Sequence, residues 1–427
     1  MTTFSARRTW AGARAVRATG CLLAAFVMVP KTPATAAETD SGISLAGSAR
    51  TIAAGTDNYR DPAVFGEHEA DGVSQTILRL IMNGRPLDWL SFEVHGVQTV
   101  TFDSYDAGLA SVSDLPGLGG NRSRYRANDV SWKWLERDHA LAELYLDRAN
   151  VQVSASGADF TVGRQAINFG KAYFWNPLDL FLPFDPRQFD REYKAGVDAA
   201  RLDVPLGAFS GINVVGVAGR ELPDGSVTWR GAAMIGRTFG NCRDWDWAIQ
   251  GGKIAGGAMA GAGVSGEVGG IAIRGEAART FADDAETDEP ELAIDGLTAV
   301  AGVGHRFENT LDIEAEYFYN EAGAPADLTM AALRVANGSS LQMSHHLAGI
   351  VGRYELTPLV KTSLAWIYSI SDTSSLFQPG VQISTSNESE LLVGGLVSVG
   401  DRPDSLEPRS EFGIYPTTVY LEFKYYF

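Results

Sequence analysis

The sequence predicts an all-β chain, a transmembrane antiparallel β-barrel of about eighteen strands. Three observations carry that reading. The final segment, 417–427, reads TTVYLEFKYYF, with Val419, Leu421, Phe423, Tyr425 and Phe427 on one face and Tyr420, Glu422, Lys424 and Tyr426 on the other. Strict period-two alternation is the mark of a strand with one apolar and one wetter face. The N-terminus reads as an export signal. Beyond it no stretch reaches eighteen consecutive apolar residues, which excludes a helical span and leaves strands to cross the membrane.

The signal comes first in the chain. Arg7, Arg8, Arg14 and Arg17 stand without an acidic neighbour, residues 21–29 (CLLAAFVMV) are apolar, and Ala34-Thr35-Ala36 supplies a small-residue cleavage site. This is the three-part pattern of a secretory signal peptide. Cleavage is placed after Ala36, with Ala37 the alternative. The domain reading is therefore a signal peptide at 1–36 and one barrel at 37–427. Arg7-Arg8 fits a twin-arginine signal poorly. Cys21 opens the apolar core instead of closing it, unlike a lipoprotein cysteine. In the mature chain Cys242 stands alone, so no intramolecular disulfide forms and no metal or redox site is suggested.

The barrel strands follow in pairs. A first strand covers 43–53. Residues 74–83 and 87–101 flank a turn at Gly84-Arg85-Pro86, with Leu78, Leu80 and Met82 alternating against Arg79 and Asn83. Next come 139–155 with 159–169, and 195–204 with 209–219. Then follow 226–238 with 244–256, and 257–267 with 271–281. In 294–307 and 311–320, Ile313, Ala315, Tyr317 and Tyr319 oppose Asp312, Glu314 and Glu316. The pairs 345–356 with 359–370 and 375–386 with 390–400 precede the last strand. The glycine- and alanine-rich stretch 251–270 is the least strand-like part, and sixteen strands is the alternative count. Even numbers are expected because both termini should lie on the same side. Strands of roughly ten residues joined by short turns and longer loops suit this spacing.

Composition bears on partners. The 14 tyrosines, 20 phenylalanines and 9 tryptophans suit aromatic girdles, and a mean hydropathy of −0.06 suits strands wet on one side. Arg7, Arg8, Arg14, Arg17 and Lys31 leave with the signal and no acidic residue leaves with them, so the net charge of −17 falls to about −22. That balance excludes nucleic acid, whose binding depends on neutralising phosphates. It predicts a negative field at the external mouth and a weak cation preference.

The ending strand resembles the C-terminal signature of Gram-negative outer-membrane proteins, carried here by Phe427, Tyr425 and Phe423. The resemblance implies residence in the outer membrane and an assembly signal read by the barrel assembly machinery. It also implies contact with outer-membrane lipids and lipopolysaccharide. One predicted external loop is unusual. Residues 170–193 (GKAYFWNPLDLFLPFDPRQFDREY) are too apolar for free solvent, and Pro177, Pro183 and Pro186 exclude a continuous helix or sheet. By position this is the third external loop, the one that folds inward in general porins. The porin-like reading implies a constriction with its apolar side on the wall. Asp179, Asp185, Arg187, Asp190 and Arg191 would then be nearest the lumen. Folding over the barrel mouth as a cap is the other option.

Arg164 and Gln165, in VGRQAINFG, and Arg201, in GVDAARLDV, flank this loop. A lipid-facing Arg costs about 2–4 kcal/mol at the midplane. These residues either line the pore or pair with Asp198 and Asp203. The stretch from VGRQ to GVDAARL is similar to a segment of porin-like barrels that include alginate-export-type proteins. The acidic balance argues against a polyanion such as alginate as cargo.

Catalysis finds no motif. His68, His95, His139, His305, His345 and His346 show no spacing that joins a nucleophile to its base. His345-His346 point to opposite faces of a strand. No catalytic residue, metal site or cofactor is expected. The expected function is a porin-like channel for passive diffusion of small hydrophilic solutes or ions. A polymer-export barrel and a barrel-embedded hydrolase are the alternatives, and the oligomeric state stays open between monomer and homo-oligomer.

Overall fold

The computed structural model describes residues 42–58, 69–104, 124–188, 192–221, 225–283, 293–323, 328–336, 339–403 and 407–427. The expected signal peptide lies outside these residues. The first strands are β1 (Ile43–Asp57), β2 (Ala70–Leu87), β3 (Leu90–Asp103), β4 (Ser131–Arg137), β5 (Ala140–Ala155) and β6 (Ala158–Gln165). After a long connection come β7 (Val197–Pro205), β8 (Gly211–Val217), β9 (Ala233–Cys242), β10 (Trp245–Ile254), β11 (Gly257–Val268) and β12 (Ile271–Ala282). The rest are β13 (Gly296–Arg306), β14 (Asp312–Asn320), β15 (His346–Thr357), β16 (Val360–Ser369), β17 (Ser375–Ser386), β18 (Ser389–Val399) and β19 (Thr417–Tyr426).

Eighteen of these strands close into one antiparallel barrel, each paired with its sequence neighbours except that β3 pairs with β5. The count of eighteen holds and sixteen does not. Closure removes the exposed edges that a membrane would not tolerate. It is made by β19 against β1, in register from Asp57↔Thr417 to Ser48↔Tyr426. Gly47 and Phe427 exchange backbone hydrogen bonds of 2.6 and 2.9 Å at the end of that ladder. A side chain at Gly47 would collide with the ring of Phe427, so the glycine lets the terminal aromatic lie across the closing pair. Tyr425 stacks beside that ring at 6.2 Å.

The predicted alternation of the last strand is realised. Leu421 is 47% exposed while Glu422 is 1% exposed. The same outward exposure recurs at Leu80, Val162, Ile249, Val264, Val303, Leu364 and Val393. Such outward apolar side chains on strand after strand match the lipid-facing band of a transmembrane barrel.

Three local expectations are corrected. The first hairpin turns at Asp88-Trp89 and not at Gly84-Arg85-Pro86, which lie inside β2. Gly84 makes room there for the Phe92 ring of β3, so the glycine serves packing across the ladder. The ninth strand starts at Ala233, later than the expected 226. The fifth predicted strand, 159–169, ends at Gln165, and the wall above it is completed by a segment not read as strand at all. Here β4 pairs with residues 140–145 of β5, on the edge that β6 has left. Leu146 N donates to Val130 O at 3.0 Å and Asp198 N to Tyr125 O at 2.9 Å. Residues 124–137 thus patch the barrel between β5 and β7. A short helix, α1 (Leu328–Ala336), sits in the connection between β14 and β15; it too was not read from the sequence.

The glycine-rich stretch 251–270 is confirmed as β10 and β11. Its composition has a tertiary cause. A Cβ at Gly261 or Gly263 would lie 2.7 or 2.9 Å from the side chain of Leu178, which belongs to the long connection after β6. These glycines are sockets on the inner wall.

Candidate functional site

The connection between β6 and β7 is the third long one, and its described residues, 166–188 and 192–196, fold into the barrel. Its apolar residues divide between two clusters on the inner wall. Ile167, Phe169, Leu178 and Phe181 pack with Val215, Val217, Ile235 and Met259 of β8, β9 and β11. Phe174 and Trp175 pack with Val300, Phe318, Leu347 and Ile367 on β13 to β16. Trp175 stacks on Phe318 with ring centres 5.3 Å apart, and Gly349 leaves the space that the Phe174 ring occupies. The prolines keep this backbone irregular, so its amides need partners outside any ladder.

Two wall carboxylates supply them. Glu316 on β14 accepts from Tyr173 N at 2.5 Å and Phe174 N at 2.8 Å. Glu276 on β12 accepts from Lys171 N at 2.5 Å and Leu178 N at 3.3 Å. Gln250 on β10 donates from Nε2 to Leu178 O at 2.8 Å. Each carboxyl group takes two loop amides, so these residues pin the loop to the wall. The sequence showed that Glu316 shares a face with Asp312 and Glu314, but not what it holds.

The chain then completes a circuit of the interior. Pro186 O accepts from Gln378 of β17 at 3.2 Å. Arg187 pairs with Asp185 and lies 4.2 Å over the ring of Tyr415. Glu192 accepts from Lys424 Nζ at 3.1 Å and from Tyr426 OH at 2.9 Å, both on β19. The Tyr193 ring lies 3.4 Å beneath the Arg79 guanidinium of β2, and its hydroxyl is 2.7 Å from His95 Nδ1 of β3. Lys194 pairs with Asp179 and fastens the end of the loop to its middle. Burial pushes the Asp179 carboxyl up and the Lys194 ammonium down, each opposed by the charge of the other.

The predicted site residues therefore separate. Arg164 is 4% exposed, pairs with Asp198 at 2.7 Å and donates to Leu146 O and Asn128 O. It holds the patch of 124–137 to the wall, together with the Arg126–Asp147 pair. Gln165 is buried and donates to Thr161 O and Ala199 O. Arg201 pairs with Asp203 at 2.8 Å and is half-buried. Asp179 is buried in the loop, whereas Asp185 and Arg187 are partly exposed beside it. Asp190 and Arg191 lie outside the described residues. Phe423, Tyr425 and Phe427 share the outward face of the closing strand with Leu421.

Beside the loop remains a cavity of about 560 Å³, bounded by Tyr173, Gln188 and Glu192 on one side and by the inner faces of β13 to β19 on the other. The wall charges there come in pairs. Arg353 bonds Asp312 at 2.9 Å, and Arg306 bonds Glu355 at 3.2 Å. Arg353 also lies 4.8 Å over the Tyr173 ring. Among the described residues no cluster of three or more His, Cys, Asp or Glu side chains could hold a metal ion.

No family model and no curated protein matches this sequence. Solved structures do match its fold. OccAB2 of Acinetobacter baumannii aligns over 90% of this chain and 98% of its own, with TM-score 0.54 and 9% identity. OpdQ of Pseudomonas aeruginosa aligns over 90% and 98%, with TM-score 0.53 and 7% identity. OccK11 (OpdR) of the same organism aligns over 90% and 95%, with TM-score 0.51 and 9% identity. The chain shares its barrel fold with these three structures.

Proposed function

We propose that this chain is a channel through which small hydrophilic solutes diffuse passively across the outer membrane. The observation that carries it is the course of residues 166–188 and 192–196 around the interior wall, beside a cavity of about 560 Å³ lined by both charged and apolar side chains. A barrel of this strand number has room for an aqueous lumen, and a loop pinned to its inner wall sets the opening. Residues 1–36 are proposed to direct export and to be removed, so that the mature protein starts at Ala37; N-terminal sequencing of the purified protein checks this. The function is tested by single-channel recording in planar bilayers. Discrete conductance steps are expected from the detergent-purified, heat-modifiable protein. A correctly folded barrel that conducts no ions and admits no small sugar into proteoliposomes would overturn the proposal.

A further inference from the structure

Charges line the cavity in an ordered way. Across the β-ladder Arg306 stands opposite Asp312, and Asp312 opposite Arg353. One step along, Glu355 stands opposite Lys361. Past Gln382, which donates to Glu390 at 2.8 Å, Glu390 stands opposite Lys424. Opposite charges thus face each other across the ladder at each of these steps from β13 to β19, with β15 carrying one of each sign and Gln382 on β17 as the neutral member. Lys424 meets a further carboxylate, Glu192, from the loop. Between these charges the lining includes the amides of Gln188 and Gln378 and the hydroxyl of Ser363, beside apolar Val351, Ala365 and Leu392.

A wall of opposed charge pairs does different work from a ladder of one sign. Neighbouring strands lie roughly 4.8 Å apart. An ion passing one wall charge is therefore within a few ångströms of the opposite charge. The attraction and repulsion largely cancel, and the ion sheds hydration without a compensating field. A hydroxyl group both donates and accepts. It can donate to a carboxylate while a neighbouring hydroxyl accepts from a guanidinium or ammonium on the next strand. The acidic excess of the whole chain acts at the mouth and is screened over about 8 Å at physiological salt.

From this we infer that the lumen site favours uncharged, hydroxyl-rich solutes of small-saccharide size over ions of either sign. The inference rests on the channel reading above and names its substrate class. The cavity volume falls within the roughly 300–1,000 Å³ typical of small-molecule sites.

The test uses full-length mature protein in proteoliposomes and three linear polyols of matched length: sorbitol, gluconate and N-methylglucamine. Tracer uptake of sorbitol should exceed that of either ion several-fold. In a KCl gradient the reversal potential should lie near zero. Lys361→Gln should move it toward cation preference and Glu390→Gln toward anion preference, with heat-modifiability retained in both. Opposite shifts are not expected if the pairs only hold the wall together. Gluconate or N-methylglucamine entering as fast as sorbitol overturns the inference. So does a cation-to-anion permeability ratio beyond about tenfold in either direction, or a reversal potential unmoved by both variants. Absence of both KCl conductance and sorbitol uptake would instead sink the channel reading itself.

Discussion

Replacing Glu316 by alanine should release the third loop from the wall and raise conductance. The carboxylate accepts from the amides of Tyr173 and Phe174, at 2.5 and 2.8 Å, and Phe174 is 1% exposed. Without it, two amide donors in the docked loop lose their acceptor. A buried donor left unpaired costs about 1–3 kcal/mol, so the docked state loses about 2–6 kcal/mol. At the lower end the ratio of docked to undocked loop falls roughly thirty-fold, since each 1.4 kcal/mol is tenfold. Glutamine keeps one carbonyl acceptor and should lose about half as much. The strand ladders do not involve this carboxylate, so the barrel itself should still run as a heat-modifiable species. The assay is single-channel conductance of parent, Glu316→Gln and Glu316→Ala. Conductance or current noise should rise in that order, and protease should gain access to residues 171–188. If Glu316→Ala folds and its conductance trace equals that of the parent, Glu316 does not hold the loop and the pinning argument is wrong.

Three further outcomes are expected. Deleting Phe427 removes the ring that lies over Gly47 and one step of the closing ladder; outer-membrane yield should drop while unassembled protein accumulates, measured by fractionation with a heat-shift gel. Asp198→Ala should destabilise the barrel by about 3–5 kcal/mol, because the buried Arg164 guanidinium loses its counter-charge; pairing it with Arg164→Leu should recover part of the loss in the temperature of the gel-shift transition, and a double variant no better than the single one would refute this. Burial raises the Glu411 carboxyl to about 7, against hydrogen bonds from Ser344. The docked segment 407–416 therefore holds a proton that the undocked chain has released, and its stability is full below about 4.5, the usual glutamate value, and declines as pH rises to about 7. Hydrogen exchange around Ser344 and Glu411 should quicken over that window in the parent, and Glu411→Gln should flatten the dependence.

Much of this molecule was determined by its sequence alone. Alternation such as that from Val419 to Phe427 sorts side chains between lipid and lumen whatever the neighbours are, because the strand period is two. That local rule, with the spacing of turns, gives the count of eighteen barrel strands and separates Leu421 from Glu422, though the ends expected for 159–169 and 226–238 shift. The apolar, proline-broken stretch around Trp175 likewise announced a segment that must be buried without regular pairing. Other features depend on contacts between distant parts of the chain, and only the tertiary structure decided them. The strand β4 exists because β6 stops at Gln165 and leaves a gap that residues 124–137 fill. Gly261 and Gly263 look like weak strand residues until Leu178 is seated against them. Arg164 could have lined the pore, but Asp198 and two carbonyls hold it inside the wall. Alternation assigns a face to Glu276 and Glu316; what each grips there is an amide about 100 to 140 residues earlier in the chain. That meeting is set by barrel closure and loop insertion together, and neither is visible to a rule that reads a few residues at a time.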